Sequence, residues 1–356
     1  MKILQLVLSI SLSVVTLQAS AITCMTSKCH SDRATGKYVH APLKTNNCKV
    51  CHRTLSEGAP GKHPVVERFK GAQVNQVCII CHSKERKDVV YSHFIHKAIT
   101  KEGCIGCHNP HHSEHKHLLI EDLDQGKICF RCHTDRKQSF GGATHHRFES
   151  MDKGCMSCHA SHASDHPKIL NQSTAMAVCL RCHKDTGKGT AQVDKAPPIS
   201  FAVPEGGSIH KPVKDSQCIR CHEIHGSTRP KLPAKNFTAE AYGTADEQSV
   251  GLCFSCHEQK KFNRLEVSSD ETNFRNGERN LHFLHLYGSK QKRTCAVCHQ
   301  VHTSAQPFLL NSIYHLYGQD ISLGYKKADQ GGSCANYCHK QMNYNRAEAV
   351  KNELDR

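Results

Sequence analysis

Tryptophan is absent from this chain, aromatic residues make up only 6% of its 356 positions, and its mean hydropathy is −0.54. Little of it shows the 3.6- or 2.0-residue apolar period of an amphipathic helix or strand. A chain so poor in large apolar side chains struggles to offset the conformational entropy of folding by burying its own surface. Something other than side chains is expected to supply the core. Long apolar runs are also lacking after residue 21. Roughly 20 consecutive apolar residues are needed to span a bilayer, so no integral membrane segment is expected in the mature chain. Residues 1–21 read as a secretory signal, with Lys2 as the charged start, Ile3 to Leu17 as the apolar stretch and Ala19-Ser20-Ala21 as the cleavage site. The chain is therefore read as exported.

Cysteine and histidine, by contrast, are abundant, at 22 and 29 residues. The cysteines form close pairs with none left over. Nine pairs are C-x-x-C followed at once by His: Cys48/Cys51/His52, Cys78/Cys81/His82, Cys104/Cys107/His108, Cys129/Cys132/His133 and Cys155/Cys158/His159. The series continues with Cys179/Cys182/His183, Cys218/Cys221/His222, Cys253/Cys256/His257 and Cys295/Cys298/His299. This is the attachment signature of c-type haem: two thiols add to the haem vinyl groups and the next residue brings an imidazole to the iron. Disulfides suit an exported protein but do not require His after every second Cys. Zinc sites separate Cys from His by a loop so that four ligands reach tetrahedral geometry.

Two pairs are variants, Cys24/Cys29/His30 with four intervening residues and Cys334/Cys338/His339 with three. A spacer that bulges outward can still present two thioethers and a His, and each variant keeps its His. The expected complement is eleven covalent haems c, with nine as the minimum and a disulfide as the alternative at each variant. A lipid anchor on Cys24 fits poorly, because Thr23 is not small and cleavage after Ala21 leaves Cys24 third.

Aligned on its motifs, the chain shows a two-haem repeat five times over. Each repeat opens with a His eight to ten residues before the first Cys: His40, His96, His145 or His146, His210 and His285. In four repeats another His follows the first motif by three residues: His111, His162, His225 and His302. In the first repeat Leu55 occupies that place and the next His is His63. This layout resembles the doubled C-x-x-C-H family of multihaem cytochromes and is similar to periplasmic decahaem cytochromes of the MtrA type, which pass electrons through the outer membrane of metal-reducing bacteria. The resemblance covers residues 40 to 339 or so, and the N-terminal variant motif is extra to the five-repeat plan.

Eighteen histidines lie outside the motifs. Two imidazoles on every iron require eleven of them. The candidates are His40, His63, His96, His111, His146, His162, His210, His225, His285 and His302, with the eleventh from His93, His282 or His315. Part of the run His111, His112, His115, His117 is then surplus, and a metal-binding His tract is the alternative use. The six Met recur at no fixed place, which argues against His/Met ligation; paired imidazoles imply a low-potential path.

The formal net charge of +15 ordinarily suggests nucleic acid or an anionic surface. Here eleven haems with ionised propionates, at about −1 each when ferric and −2 when ferrous, bring the mature chain to about +3 oxidised and about −8 reduced. Lys and Arg are thus read as partners of propionates, and no nucleic-acid binding is expected.

The expected fold is mostly irregular with short α-helices, wrapped around a stack of haems, with almost no β-sheet. The Gly-, Pro- and Lys-rich stretch 184–209 carries no Cys. It suggests a seven-haem lobe over 22–190, a linker or loop over 191–209 and a four-haem lobe over 210–356; a loop on one continuous stack is the alternative. The tail beyond His339 reads as a short helix or a docking arm. In function the chain reads as an electron-transfer conduit of anaerobic or extracellular respiration, without catalytic residues. Its expected partners are redox proteins: a quinol-linked donor, and an outer-membrane porin or cytochrome or a terminal reductase. The expected place is the periplasm, with outer-membrane association or an extracellular position as options. The alternative is a multihaem reductase of a nitrogen or sulfur oxyanion, which needs one iron with an open position; no C-x-x-C-K occurs.

Overall fold

The computed structural model describes residues 30–56, 65–66, 68–141, 144, 146, 153–184, 199, 201–269, 271–336 and 339–352. The leader, Cys24, Cys29, His63, His145, Cys338 and most of 191–200 lie outside these. The architecture is mostly irregular, with short helices and little sheet, as expected. The longest described helices, Ser83–Tyr91 and Ala175–His183, have nine residues each. No helix among the described residues is long and apolar enough to cross a membrane. Side-chain core is scant: nine hydrophobic residues are buried among those described, and the one packed cluster joins Ala245, Val250 and Leu286.

The residues group into two compact units, one of positions up to 81 with 98–122, the other of 82–97 with everything from 123 on. In the first unit, Tyr38–Val39 pairs antiparallel with His112–Ser113. In the second, Phe94–Ile95 pairs with Ala163–Ser164 and Ser208–Ile209 with Thr303–Ser304, while Thr144 bridges Ser227. These four contacts are one device. In repeats one to four the residues before the leading His pair with those after the trailing His of the next repeat. The same hydrogen bond closes three of them: His40 N–H to the His111 carbonyl (2.9 Å), His96 to His162 (2.8 Å) and His210 to His302 (2.9 Å). The repeats are therefore shingled, which is why the unit boundary cuts through the second repeat rather than between repeats.

His40, His96 and His210 each stand where a strand turns into a helix. His40 and His210 are extended (ψ 136° and 131°) and precede four-residue turns with a proline in the first positions, Pro42 and Pro212. Proline there fixes a helical φ and lacks an N–H that the first turn could not use anyway.

The C-terminal region departs from this pattern. Ile313–Leu316 and Gln319–Ser322 form a hairpin, and Lys326–Ala328, Gly331–Asn336 and His339–Asn345 form a three-stranded sheet. The tail read as a short helix or arm is thus the third strand from His339. Exposure alternates from Gln341 to Tyr344, which suits a strand packed on one face only there.

Candidate haem sites

Seven of the intact motifs share one backbone geometry, a single helical turn. The N–H of the motif His donates to the carbonyl of the first Cys at 2.9 Å for His52, His257 and His299, 3.0 Å for His108, His133 and His222, and 3.1 Å for His159. Positions three and four apart lie on one face of such a turn. Two sulfurs and an imidazole are thereby presented together, which is the physical content of the x-x spacing. The C-terminal variant is built differently. Cys334 lies on one strand of a hairpin and His339 on the next, with Asn336 opposite His339 and a bulge between Cys334 and Asn336.

Thiols of successive motifs lie side by side. Within repeats the second cysteines approach each other: Cys51 and Cys81, Cys158 and Cys182, Cys221 and Cys256. Between repeats the first cysteines meet at hydrogen-bonding range: Cys78 and Cys104, Cys129 and Cys155, Cys179 and Cys218, Cys253 and Cys295. Where one thiol of a pair stays protonated and donates, its neighbour becomes the better acid, which lowers Cys104 and Cys155 to about 7 and Cys218 to about 6.

The histidines carry the clearest signal. Seven His–His pairs have ring centroids 6.0–6.5 Å apart: His52–His111, His96–His133, His146–His183, His159–His225, His210–His257, His222–His302 and His282–His299. Each joins one motif His to one non-motif His. With a metal–nitrogen bond of about 2 Å and the ring centre about 1.1 Å behind the nitrogen, two imidazoles on one metal have centroids roughly 6 Å apart. Ordinary aromatic packing covers the same range, but it does not select one motif and one non-motif member every time. The residues fit a haem iron between them. Ring planes lie within 9–31° in six pairs and cross at 65° in His146–His183.

Local backbone bonds also fix Cys107, Cys132 and Cys298, three of the expected tethers, and His82, an expected iron ligand. Cys107 and Cys132 each donate an N–H to the first Cys of their own motif, Cys104 and Cys129, at 3.2 Å. The carbonyls of Cys107 and Cys298 accept the N–H of Ile120 (2.9 Å) and Asn311 (2.8 Å), where the chain returns from the following loop. Cys132 is exposed, whereas Cys107 and Cys298 are half-buried. His82 stands before the helix Ser83–Tyr91, its carbonyl accepts the Arg86 N–H at 2.9 Å, and its side chain is 54% exposed with Nδ1 3.9 Å from the Glu85 carboxylate. A carboxylate on the Nδ1 side leaves Nε2 for a metal.

The pairing rule was not visible in the sequence. A leading His faces the second motif of its own repeat, and a trailing His faces the first motif of the repeat before. Leu55 stands at the trailing position of the first repeat, which has no full repeat before it. The fifth repeat has none after it, and there His282 takes over, facing His299 from the helix Leu281–Leu286. His285, three residues on, lies near enough to His339 for that group's charge to disfavour its own protonation. Of the three residues considered for an eleventh ligand, His282 is thus the one brought opposite a motif. His93 and His315 are 78% and 70% exposed and pair with Asp165 and Asp320, each at 3.0 Å. His40 and His162 hold the ladder positions equivalent to His210 and His302.

Burial keeps these imidazoles neutral, the form that offers a lone pair to iron. It lowers the pKa of His96, His111, His225, His257, His299 and His302, and takes His282 to about 3. Hydrogen bonds orient them. His40 Nδ1–H donates to the Pro110 carbonyl (2.9 Å) and His210 to Val301 (3.1 Å), leaving Nε2 for a metal. Among the described residues no group of three or more His, Cys, Asp and Glu side chains forms a separate metal site, the run His111 to His117 included.

Sequence reasoning missed one recurrent element. After the first motif of repeats two to five the chain reads "HNPHHSEHKHLLI", "HASHASDHPKILN", "HEIHGSTRPKLPA" and "HQVHTSAQPFLLN". A Ser always stands five residues past the motif His, and alignment of the repeats on that His exposes it.

Comparison with known proteins agrees with this geometry. The family described as Doubled CXXCH motif matches residues 96–138, 145–188 and 210–262, segments that run from a leading His through a second motif. The chain is similar to multihaem c-type cytochromes with doubled C-x-x-C-H motifs, and the motifs and these likenesses support haem c binding. Among its relatives, the multiheme cytochrome MtrA of Shewanella baltica is 27% identical over 319 residues, covering 87% of this chain and 80% of that protein. The cytochrome c-type protein NrfB of Escherichia coli is 28% identical over 125 residues, 25% of this chain and 65% of that protein. NrfB of Haemophilus influenzae is 27% identical over 108 residues, 27% of this chain and 47% of that protein.

Proposed function

We propose that the chain conducts electrons through eleven covalently bound haems, most or all with two imidazole ligands. The observation that carries this reading is the set of seven His–His pairs. In it each motif His is one iron ligand and the ring opposite is the other. His285 is read as the second ligand of the iron of His339, and His40 and His162 as ligands of two further irons. His82, with Glu85 beside its Nδ1, keeps Nε2 for iron. The cysteine pairs tether the porphyrins, Cys107, Cys132 and Cys298 among them, and the adjacency of successive tethers within each compact unit supports haems close enough for fast transfer. A bound haem supplies the redox centre; the chain's own residues fix its orientation, keep the ligating rings neutral and exclude water.

The His285–His339 proximity and the hairpin at Cys334 support haem at the C-terminal variant. For the N-terminal variant, His30 and the agreement in cysteine count are the support. The protein is read as an electron carrier acting in the periplasm between redox proteins, a quinol-linked donor on one side and an outer-membrane porin–cytochrome assembly or a terminal reductase on the other. A reductase needs an iron with an open position, whereas both faces are occupied wherever a pair is described. The intact mass of the mature protein, made in a host that attaches c-type haem, tests the complement. Eleven haems on a chain starting at Ile22 are expected. A count of nine would refute haem at both variant motifs.

A further inference from the structure

The four loops that follow the first motif of repeats two to five hold an unusual backbone. Twelve described non-glycine residues have positive φ, and eight of them are consecutive pairs in these loops: His117 and Leu118, Lys168 and Ile169, Lys231 and Leu232, Phe308 and Leu309, at 49–65°. A non-glycine residue in the left-handed region costs roughly 1–2 kcal/mol and persists only where its surroundings hold it. None of the eight positions has become glycine, although glycine would relieve the strain.

A carbonyl from each loop meets the motif His. Nδ1–H of His108, His159, His222 and His299 donates to the carbonyl nine residues on, that of His117, Lys168, Lys231 and Phe308, at 2.8, 3.0, 3.1 and 3.0 Å. The carbonyl belongs in each case to the first of the two left-handed residues. The loop is pinned by the recurrent serine. The hydroxyl of Ser113, Ser164, Ser227 and Ser304 donates to the carbonyl of Leu119 (2.5 Å), Leu170 (2.5 Å), Pro233 (3.0 Å) and Leu310, and accepts the N–H of His115, His166, Arg229 and Gln306 at 2.9–3.1 Å. Both bonds close the loop from inside, one on each side of the left-handed pair.

We infer that Ser113, Ser164, Ser227 and Ser304 are positioning residues that set the reduction potential of four particular haems, those attached at Cys104/Cys107, Cys155/Cys158, Cys218/Cys221 and Cys295/Cys298. This rests on the haem-ligation reading above. An imidazole that donates its Nδ1–H to a fixed carbonyl is a more electron-rich ligand, and a more electron-rich ligand favours ferric over ferrous iron. The serine holds the carbonyl on the imidazole against the strain of the loop. At the second sites of repeats two and four a carbonyl instead meets the ring of the leading His, Ser161 at His96 and Val301 at His210. In those repeats the first site is held through its motif His and the second through its leading His, so the two can be altered separately.

Ser164→Ala in the haem-loaded protein is the test, read by potentiometric titration and by electron paramagnetic resonance of the ferric state. One haem's share of the titration should move to higher potential and one low-spin signal should shift, the rest staying in place, and Ser164→Thr should restore both. Lys168→Gly, which relieves the left-handed strain without removing the hydroxyl, should raise stability and leave the potentials unchanged. A Ser164→Ala protein that melts earlier but titrates like the wild type would make the serine merely structural and overturn the proposal. Should that variant not fold, Ser113→Ala gives the same reading on an independent copy of the loop. Peptide mass mapping of the wild type separates the two claims: absence of haem from the Cys155–Cys158 peptide defeats the ligation reading, whereas unmoved potentials with that haem in place defeat only the role of the serine.

Discussion

Removing His302 should open an iron that is attached 80 residues upstream, not the one bound three residues before it. The ring of His302 faces His222 at 6.0 Å, whereas His299 is faced by His282 at 6.5 Å. With the proposed ligation every such iron has two imidazoles, and the reduced wild type should bind almost no carbon monoxide. His302→Ala should bind one equivalent, at the iron of His222. His282→Ala should also bind one, at the iron of His299, and the double variant two. The single variants should differ in stability. His282 sits edge-on between Phe262 and Phe274, each 5.1 Å away, so its truncation costs on the order of 3 kcal/mol in packing beyond the lost iron bond. The backbone of His302, which accepts the His210 N–H, is retained in His302→Ala. Carbon monoxide difference spectra of the reduced proteins, titrated to saturation, give the stoichiometries, and urea midpoints give the stabilities. If His302 served its own motif, His282→Ala would bind none and the double variant only one. That outcome would refute the shingled ligand scheme.

Two further outcomes follow from burial. The haem-free chain should be largely unfolded, because nine buried hydrophobic residues fall far short of offsetting the ordering of a chain this long; a cooperative melt of apo-protein with native helix content in circular dichroism would contradict this. Stability of the holoprotein should be flat above about pH 7 and fall on acidification. The folded pKa of His282 is about 3, below that of the unfolded chain, so the unfolded state takes up the proton first. The contribution is complete above about pH 6.5 and is lost as pH falls towards 3, at up to about 1.4 kcal/mol per pH unit; iron competing for the same nitrogen acts in the same direction. His282→Ala should show a shallower decline in urea midpoint between pH 6.5 and 4, and an unchanged slope would exclude His282 as its source.

The sequence by itself determined the chemistry. C-x-x-C-H works through neighbours within one helical turn, so Cys48, Cys51 and His52 state their purpose without reference to any other residue. The scarcity of apolar residues likewise announced a fold whose interior is not made of side chains. What it left open were relations between distant positions. That His111 faces His52 depends on Tyr38–Val39 pairing with His112–Ser113, and nothing in a two-residue strand signals its partner. His282 was one of three equal candidates until the helix Leu281–Leu286 placed it opposite His299, while exposed aspartates hold His93 and His315 at the surface. Nor does the motif around His82 announce that Glu85 stands beside its Nδ1. The recurrent serines were legible in principle, as a fixed spacing, but their meaning required the left-handed carbonyl that each one pins. A motif acts locally and can be read locally; the second ligand of an iron arrives from another repeat, and only the tertiary structure decides which.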